Sequence, residues 1–424
     1  MTYHFLFPAE LWDAADEAGW AWGYLNLRVD EGEGVVTVAQ AWHAAEEVLR
    51  IDTGWQARHY LRYADIRTMS GVWYRADPDI HVLHDQILRR ANAGIGLDAI
   101  RALIPTGWVN PGPEVDLPVI TLTTPKGGGP AVSAWRVSTQ GATPEAVSVV
   151  DDRFSPLTLI GDAWPTKELA DCHVVVIGVG SIGGAISETL ALAGVGKLSL
   201  VDHDRLVQRN LARHRLTDRD LGRFKVFAMR DHLNARAPAA LVDAYNINVV
   251  THADVLRPVV AAADVVVCAA DGVAARRAAN HVARRALTPL VIAAVLEDGA
   301  FGELLRVRAR TGCLFCLRLA QVEAGLMDPE PGIDLGYGTG TAHRPMTAAP
   351  PDLQLIGDLA AKMTLSTLLE ARGRWNQRLP GDYVIVGLQP KPDYPPPFDL
   401  TCAGDVRWHD LPDARADCPT CSLL

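Results

Sequence analysis

Three glycines, Gly178, Gly180 and Gly183, punctuate the stretch VVVIGVGSIGGA between Val174 and Ala185. An apolar run precedes them and a helical pattern follows. In a strand–turn–helix unit the first glycine permits a sharp bend. The second lets backbone N–H groups approach phosphate oxygens, and the third lets helix and strand pack closely. The helix N-terminus then faces an anion with its partial positive charge. About twenty residues on, the run KLSLVD ends at Asp202, where a carboxylate can accept ribose hydroxyls. These features fit a dinucleotide for hydride transfer and ATP for chemistry at phosphorus equally well.

The next segment, VDHDRLVQRNLARHRLTDRDLGRFKVFA, adds Asp204, Asn210, Arg213 and Lys225 close to the glycine turn. Two cations and an amide beside a phosphate site suit the stabilisation of charge on a reacting α-phosphate. Asp271 ends the apolar run VVVCAAD, at the strand edge where open α/β sheets bind ligands. A carboxylate there can hold Mg²⁺. A nicotinamide-dependent oxidoreductase would explain the glycines and Asp202 but not NLARH, GRFK or the cysteine pairs. A non-catalytic nucleotide-binding scaffold would not need the whole charged set.

GCLFC contributes Cys313 and Cys316, and DCPTC contributes Cys418 and Cys421. Four thiolates can close a tetrahedral Zn²⁺ site with no open position, so the expected role is structural. A redox C-x-x-C starts a helix within its own βαβ unit, a setting neither pair has. The metal would staple the C-terminal tail to the body.

In order along the chain, GVGSIGG, LVDHD, RNLARH, GRFK and CAADGVAARR resemble the ThiF/MoeB/HesA group. That group comprises the adenylation domains of ubiquitin-activating enzymes and their bacterial relatives. The resemblance runs from about Asp151 to Leu424. It implies ATP–Mg²⁺ binding and adenylation of the C-terminal carboxylate of a small ubiquitin-like protein or peptide. It places Gly178, Gly180 and Gly183 at the phosphates and Asp202 at the ribose. Asn210, Arg213 and Lys225 would contact the triphosphate, and Asp271 would hold magnesium. DDRFS resembles a stretch whose arginine, here Arg153, reaches a neighbouring subunit's nucleotide, so a homodimer is implied. Many members also carry two cysteine pairs. Two departures stand out: Arg213-His214 where the group often has Arg-Gln, and Ala270-Asp271-Gly272 where it often has Thr-Asp-Asn.

Conjugating members pass the acyl group to a cysteine on a crossing loop after the first zinc pair. The corresponding stretch here, GLMDPEPGIDLGYGTGTAHRPMTAAPP, has no cysteine. Cys402, in FDLTCAGD, is the candidate acyl acceptor outside the strands. Cys172 and Cys268 read as small core residues. Gly336, Gly338 and Gly340 suit a flexible segment under which a peptide tail could thread.

Certain elements must position these residues. From Cys172 the pattern alternates strands (HVVVIG, KLSLVD, VVVCAAD, PLVIAAV) with helical stretches (SIGGAISETLALAG, GVAARRAANHVARRAL). Continuous apolar strands joined by helices predict an α/β, Rossmann-like, mostly parallel sheet with helices on both faces. A C-terminal zinc-stapled lobe carrying the helix DLQLIGDLAAKMTLSTLLEARG completes residues 151–424. DDRFSPLTLIGDAWPTKELAD reads as a connector helix. Residues 1–150 read as an α+β domain, with strands such as GYLNLRV and LPVITLTT and the helix IHVLHDQILRRAN. That helix puts His81, His84 and Asp85 together, a pattern read as a polar face. Relatives with an amino-terminal JAB-type metalloprotease are a known arrangement. Its His-x-His signature with following Ser and Asp is missing here, so a docking or clamp domain, or a degenerate JAB-like one, is expected.

The 424 residues carry a net charge of −10 with no basic stripe, which disfavours nucleic-acid binding. No apolar run suits a membrane span, and the acidic amino terminus lacks the basic n-region of a secretory signal. A cytoplasmic protein is expected; its seven cysteines do not make a disulfide scaffold, and in a reducing compartment paired cysteines more often bind metal.

Overall fold

The computed structural model describes residues 3–43, 48–49, 67–90, 93–113, 115–124, 130–151, 156–296, 299–326, 348–391 and 394–422. The chain divides into two compact units, Met1–Phe154 and Ser155–Leu424. No helix among the described residues is long and apolar enough to cross a membrane.

The first unit is built on one curled sheet of eight strands. These are β1 (His4–Pro8), β2 (Trp22–Asp30), β3 (Val35–His43), β4 (Val48–Leu49), β5 (Arg67–Arg75), β6 (Leu117–Thr123), β7 (Ala131–Ser138) and β8 (Gly141–Val150). Their order is β1-β8-β7-β6-β5-β2-β3-β4, and β1 also pairs with β3, so the sheet closes on itself. Closure hides edges that would otherwise template aggregation. Period-two alternation sends Phe5, Phe7, Leu25, Leu27 and Trp73 into one core with α1 (Ala9–Glu17). Val72, Tyr74 and Trp135 face a second core with α2 (Asp79–Leu88) and α3 (Leu97–Ala102). The histidines of α2 do not form a polar face. His84 is 2 % exposed, and its Nε2 is 3.0 Å from the Ala134 carbonyl and 3.1 Å from that of Glu145. It therefore serves as an interior tie between helix and sheet, while His81 Nδ1 bonds Ser133 Oγ at 2.9 Å.

The second unit begins with a 3-10 turn over Pro156–Ala163 and the short α4 (Thr166–Ala170). This replaces the expected continuous connector helix over the described residues. Pro165 lacks an N–H and disfavours helical backbone at Trp164 before it. The strands β9 (His173–Ile177), β10 (Lys197–Val201), β11 (Leu241–Tyr245), β12 (Val265–Cys268) and β13 (Leu290–Leu296) are mutually parallel, in the order β11-β10-β9-β12-β13. The sheet then continues antiparallel through β14 (Phe301–Val307), β15 (Tyr383–Gly387) and β16 (Val406–His409). The three antiparallel strands were not anticipated; β15 is a short apolar run, and β14 is buried along its length although it carries Glu303 and Arg306. Helices cover both faces. α5 (Ser181–Leu192), α6 (Lys225–Arg236) and α10 (Pro350–Glu370) share one core. α7 (Ala253–Ala261), α8 (Val273–Arg285) and α9 (Leu314–Glu323) share the other with the paired cysteines. Cys172 and Cys268 are buried, as read from their apolar surroundings.

Candidate functional site

The chain leaves β9 towards β10 and β11 on one side and returns to β12 on the other. That reversal opens a crevice at the carboxyl ends of β9 and β12, the place where α/β sheets bind ligands. A cavity of about 500 Å³ lies there, lined by Gly178, Gly180, Asp202, Arg213, Lys225 and Asp271 among others. Asp204 and Asn210 also line it.

Each glycine has a separate steric reason. Gly178 holds φ +85°, and a Cβ on it would meet the Ala270 nitrogen at 2.5 Å. A Cβ on Gly183 would stand 1.8 Å from the Gly178 carbonyl oxygen, so only glycine lets the helix seat on the turn. A Cβ on Gly180 would meet nothing within 4 Å, because that position faces the open cavity. The first intrahelical bond of α5 is donated by Gly184 to Gly180 at 2.8 Å. The N–H groups before it therefore have no partner within the helix and point an anion-binding dipole at the cavity.

Asp202 organises the turn. Its Oδ2 accepts from Val179 N–H at 2.7 Å and its Oδ1 from Asp204 N–H at 2.8 Å. Burial pushes its carboxyl up from the ordinary range, with Lys225 opposing the rise. Lys225 is the first residue of α6, is 8 % exposed, and donates from Nζ to Asp204 Oδ2 at 2.9 Å. Burial works against its charge, but Asp202, Asp204 and Asp271 outweigh burial and hold the ammonium's pKa up. The ligand atoms of Asp202, His203 and Asp204 lie within 4.8 Å of one another, and the Lys225 ammonium sits at this cluster. Asp271 is solvent-accessible yet crowded by protein atoms. That crowding pushes its carboxyl up, and Lys225, Arg213 and Arg276 pull it back. An accessible carboxylate at this sheet edge is a hard oxygen donor of the kind a divalent cation takes.

Asn210 closes a 3-10 turn, its Oδ1 accepting Val207 N–H at 3.1 Å. Its carbonyl accepts from both Arg213 N–H at 3.0 Å and His214 N–H at 2.9 Å, which fixes the segment that carries the cation. His214 was noticed in the sequence only as a departure, yet its Nε2 reaches the Val179 carbonyl at 2.9 Å. Residues 247–251 form a further wall of the cavity that sequence reasoning missed. The missing signal is strand order: β11 lies beside β10, so the loop after it reaches the same edge.

Cys402 does not line this cavity. It is exposed, and its carbonyl packs against Gly387 at the end of β15. β15 lies three strands from β12, about 14 Å at ordinary strand spacing. Arg153, Gly336, Gly338 and Gly340 lie outside the described residues.

The Sγ atoms of Cys313, Cys316, Cys418 and Cys421 all lie within 4.8 Å of one another. Cys313 and Cys418 are 3.6 Å apart and Cys316 and Cys421 3.8 Å. Those spacings are far beyond the ~2.05 Å of a disulfide. They match the ~3.8 Å that tetrahedral geometry with ~2.3 Å Zn–S bonds requires. Arg415 N–H and Cys421 N–H each lie 3.4 Å from a cluster sulfur, as donors to thiolates should. Gly312 N–H donates to the Pro412 carbonyl at 2.7 Å, and Arg415 makes a two-pronged pair with Glu323 at 2.6 and 2.7 Å, so the tail is tied down around the cluster.

The chain is similar to several known proteins. The ATP-dependent ubiquitin transferase-like protein Cap2 of Pseudomonas aeruginosa is 30 % identical over 271 residues, 61 % of this chain and 47 % of the relative. The chain thus spans about half of Cap2. The molybdopterin-synthase adenylyltransferase of Salmonella typhimurium is 31 % identical over 175 residues, 39 % of this chain and 70 % of the relative. Among solved structures, E. coli MccB aligns over 60 % of this chain and 66 % of its own, with a TM-score of 0.46 and 22 % identity. The ThiF family model matches residues 153–369, just over half of the sequence, and the chain belongs to the ThiF family.

Proposed function

We propose that the protein is an adenylyltransferase that activates the C-terminal carboxylate of a small ubiquitin-like protein or peptide with ATP. The observation that carries this reading is the convergence of a phosphate-binding turn, Asp202, Lys225, Arg213 and Asp271 in one cavity. Relatives named as adenylyltransferases support it. Hydride transfer has no use for so dense a charge set.

In this reading the turn and the α5 N-terminus hold the phosphates, and Asp202 accepts ribose hydroxyls with the lone pairs its backbone donors leave over. The incoming carboxylate, ionised at neutral pH without help from a base, attacks the α-phosphorus in line. A P–O bond forms on the carboxylate oxygen, the bond to the bridging oxygen breaks, and pyrophosphate leaves with its electron pair. The products are an acyl-adenylate and pyrophosphate. Lys225 and Arg213 neutralise charge as it develops, and Asn210 keeps Arg213 in place. The work is positioning and electrostatics. Asp271 would hold Mg²⁺, which supplies further phosphate neutralisation when bound. The four cysteines would hold a structural Zn²⁺. Arg153 would serve a neighbouring subunit's nucleotide in a homodimer, and Cys402 is the candidate for a thioester with the activated carboxylate.

Thermal unfolding with ATP–Mg²⁺ and, separately, with NAD⁺ or NADPH tests the reading, because a ligand of the native state raises its stability. ATP–Mg²⁺ should stabilise the wild type and not Asp271→Ala. Stabilisation by the nicotinamide alone would overturn the proposal.

A further inference from the structure

We infer that His214 is a positioning residue of the nucleotide turn, which holds the Val179 carbonyl and thereby aims the Gly180 N–H into the cavity for a phosphoryl oxygen. This rests on the nucleotide reading of the cavity and goes beyond it. Val179 sits between Gly178 and Gly180, where the backbone has little conformational preference of its own. Something must fix the two peptide planes that flank it.

The first plane is fixed at both ends. Val179 N–H donates to Asp202 Oδ2, and the Gly178 carbonyl lies on the Cα of Gly183, as the 1.8 Å clearance for any added Cβ shows. The second plane is fixed by His214, whose Nε2 donates to the Val179 carbonyl at 2.9 Å. Leu216 N–H donates to Nδ1 of the same ring at 3.1 Å, so the ring hydrogen must lie on Nε2. In a trans peptide the N–H points opposite to the carbonyl. The Gly180 N–H is therefore directed away from His214, at the residue whose Cα faces open space in the cavity. The ring rests over α5, its Cε1 3.8 Å from where a Cβ on Gly184 would stand. Burial pushes the imidazole down to about 4, so it stays a neutral donor at physiological pH.

The latch also joins two functional segments. His214 follows Arg213 directly, and both backbone N–H groups bond the Asn210 carbonyl. The cation-bearing loop and the glycine turn are therefore joined directly through this ring. A glutamine amide also offers one donor and one acceptor, and can answer both Val179 and Leu216. Alanine answers neither.

The test is calorimetric titration of the full chain with ATP–Mg²⁺ and with adenosine, which lacks phosphates. His214→Ala should weaken ATP by about tenfold to a hundredfold, the range of a hydrogen bond to a charged group, and leave adenosine within about threefold. His214→Gln should restore ATP binding. Parallel weakening of both ligands in His214→Ala, or no weakening of either, would overturn the latch. If His214→Ala does not fold, His214→Gln decides alone: a folded Gln variant that loses ATP overturns the latch, and one that binds it normally supports it. If the wild type binds neither ATP nor adenosine, the nucleotide reading itself falls and the latch with it.

Discussion

Gly180 and Gly183 lie three residues apart, yet replacing each with alanine should fail in opposite ways. At Gly183 the new Cβ would stand 1.8 Å from the Gly178 carbonyl oxygen, and one of the two has to retreat by about 1.6 Å to reach ordinary contact at 3.4 Å. Overpacking of that kind costs about 1–3 kcal/mol. In a unit of this size each kcal/mol is worth ~2–4 °C, so Tm should fall by roughly 2–12 °C. Displacement of the helix N-terminus by more than ~1 Å should also cost on the order of a hundredfold in any phosphate-dependent rate. At Gly180 the backbone has φ −80° and ψ −153° and the Cβ meets no atom within 4 Å, so the unliganded protein should keep its Tm. The methyl instead occupies the space a phosphate must enter. Saturation at ~100 times Kd stabilises a protein by about 2.7 kcal/mol, a shift of roughly 5–11 °C here. Differential scanning fluorimetry with and without ATP–Mg²⁺ reads both quantities. Gly180→Ala should lose the ATP shift alone. Were it to keep the full shift, phosphates would not lie on this turn; were Gly183→Ala to melt with the wild type, the close helix–turn contact would not exist.

Three further outcomes follow from the geometry. Purified protein should carry one zinc per chain by elemental analysis, and Cys418→Ser or a strong chelator should remove it and open the tail to proteolysis; a metal-free chain with an intact tail would refute the staple. Arg318 donates to both oxygens of the buried Glu303, at 2.8 and 2.5 Å, so Arg318→Met should cost about 3–5 kcal/mol by stranding the carboxylate, read as a lower urea midpoint, and a change under ~1 kcal/mol would show that the pair is dispensable. His214 is held down to about 4 by burial, with Val179 and Asp220 opposing and Lys225 and His232 assisting. Its unfolded form takes a proton first, so stability present above about pH 6.5 is lost as pH falls towards 4, by roughly 3 kcal/mol; His214→Gln should flatten that slope in urea unfolding, and identical slopes would refute it.

The glycine turn and its parallel strands were legible because their signals are local. A buried parallel strand reads as a continuous apolar run, a strand–helix turn needs glycines at fixed offsets, and a metal-spaced cysteine pair is visible within five residues. The features that were not legible depend on contacts between distant segments. In the antiparallel extension through β14, β15 and β16, β14 hides because its Glu303 and Arg306 break the apolar run while partners from distant segments, Arg318 and Asp382, let them be buried. Closure of the first sheet through β1 and β3 involves three residue pairs and leaves no mark on composition. His84 looked like part of a polar face because α2 carries His81 and Asp85 nearby, but the strands above it supply carbonyls that satisfy a buried ring.

His214 carries no such local mark. A histidine after an arginine in a charged loop has many uses, and its spacing from the glycine turn says nothing about its reach. Its role follows from two bonds made at Val179 in opposite senses, from 35 and 23 residues away: the ring donates to the Val179 carbonyl, and Asp202 accepts from the Val179 N–H. Asp202 is visible in the sequence because it ends a strand, and strand ends align at a sheet edge. His214 follows a 3-10 turn whose course is set by Asn210, a geometry that no periodicity announces. The turn glycines supply freedom, and these two side chains remove it. A phosphate site of this kind therefore needs both the local motif and the distant side chains that fix its peptide planes.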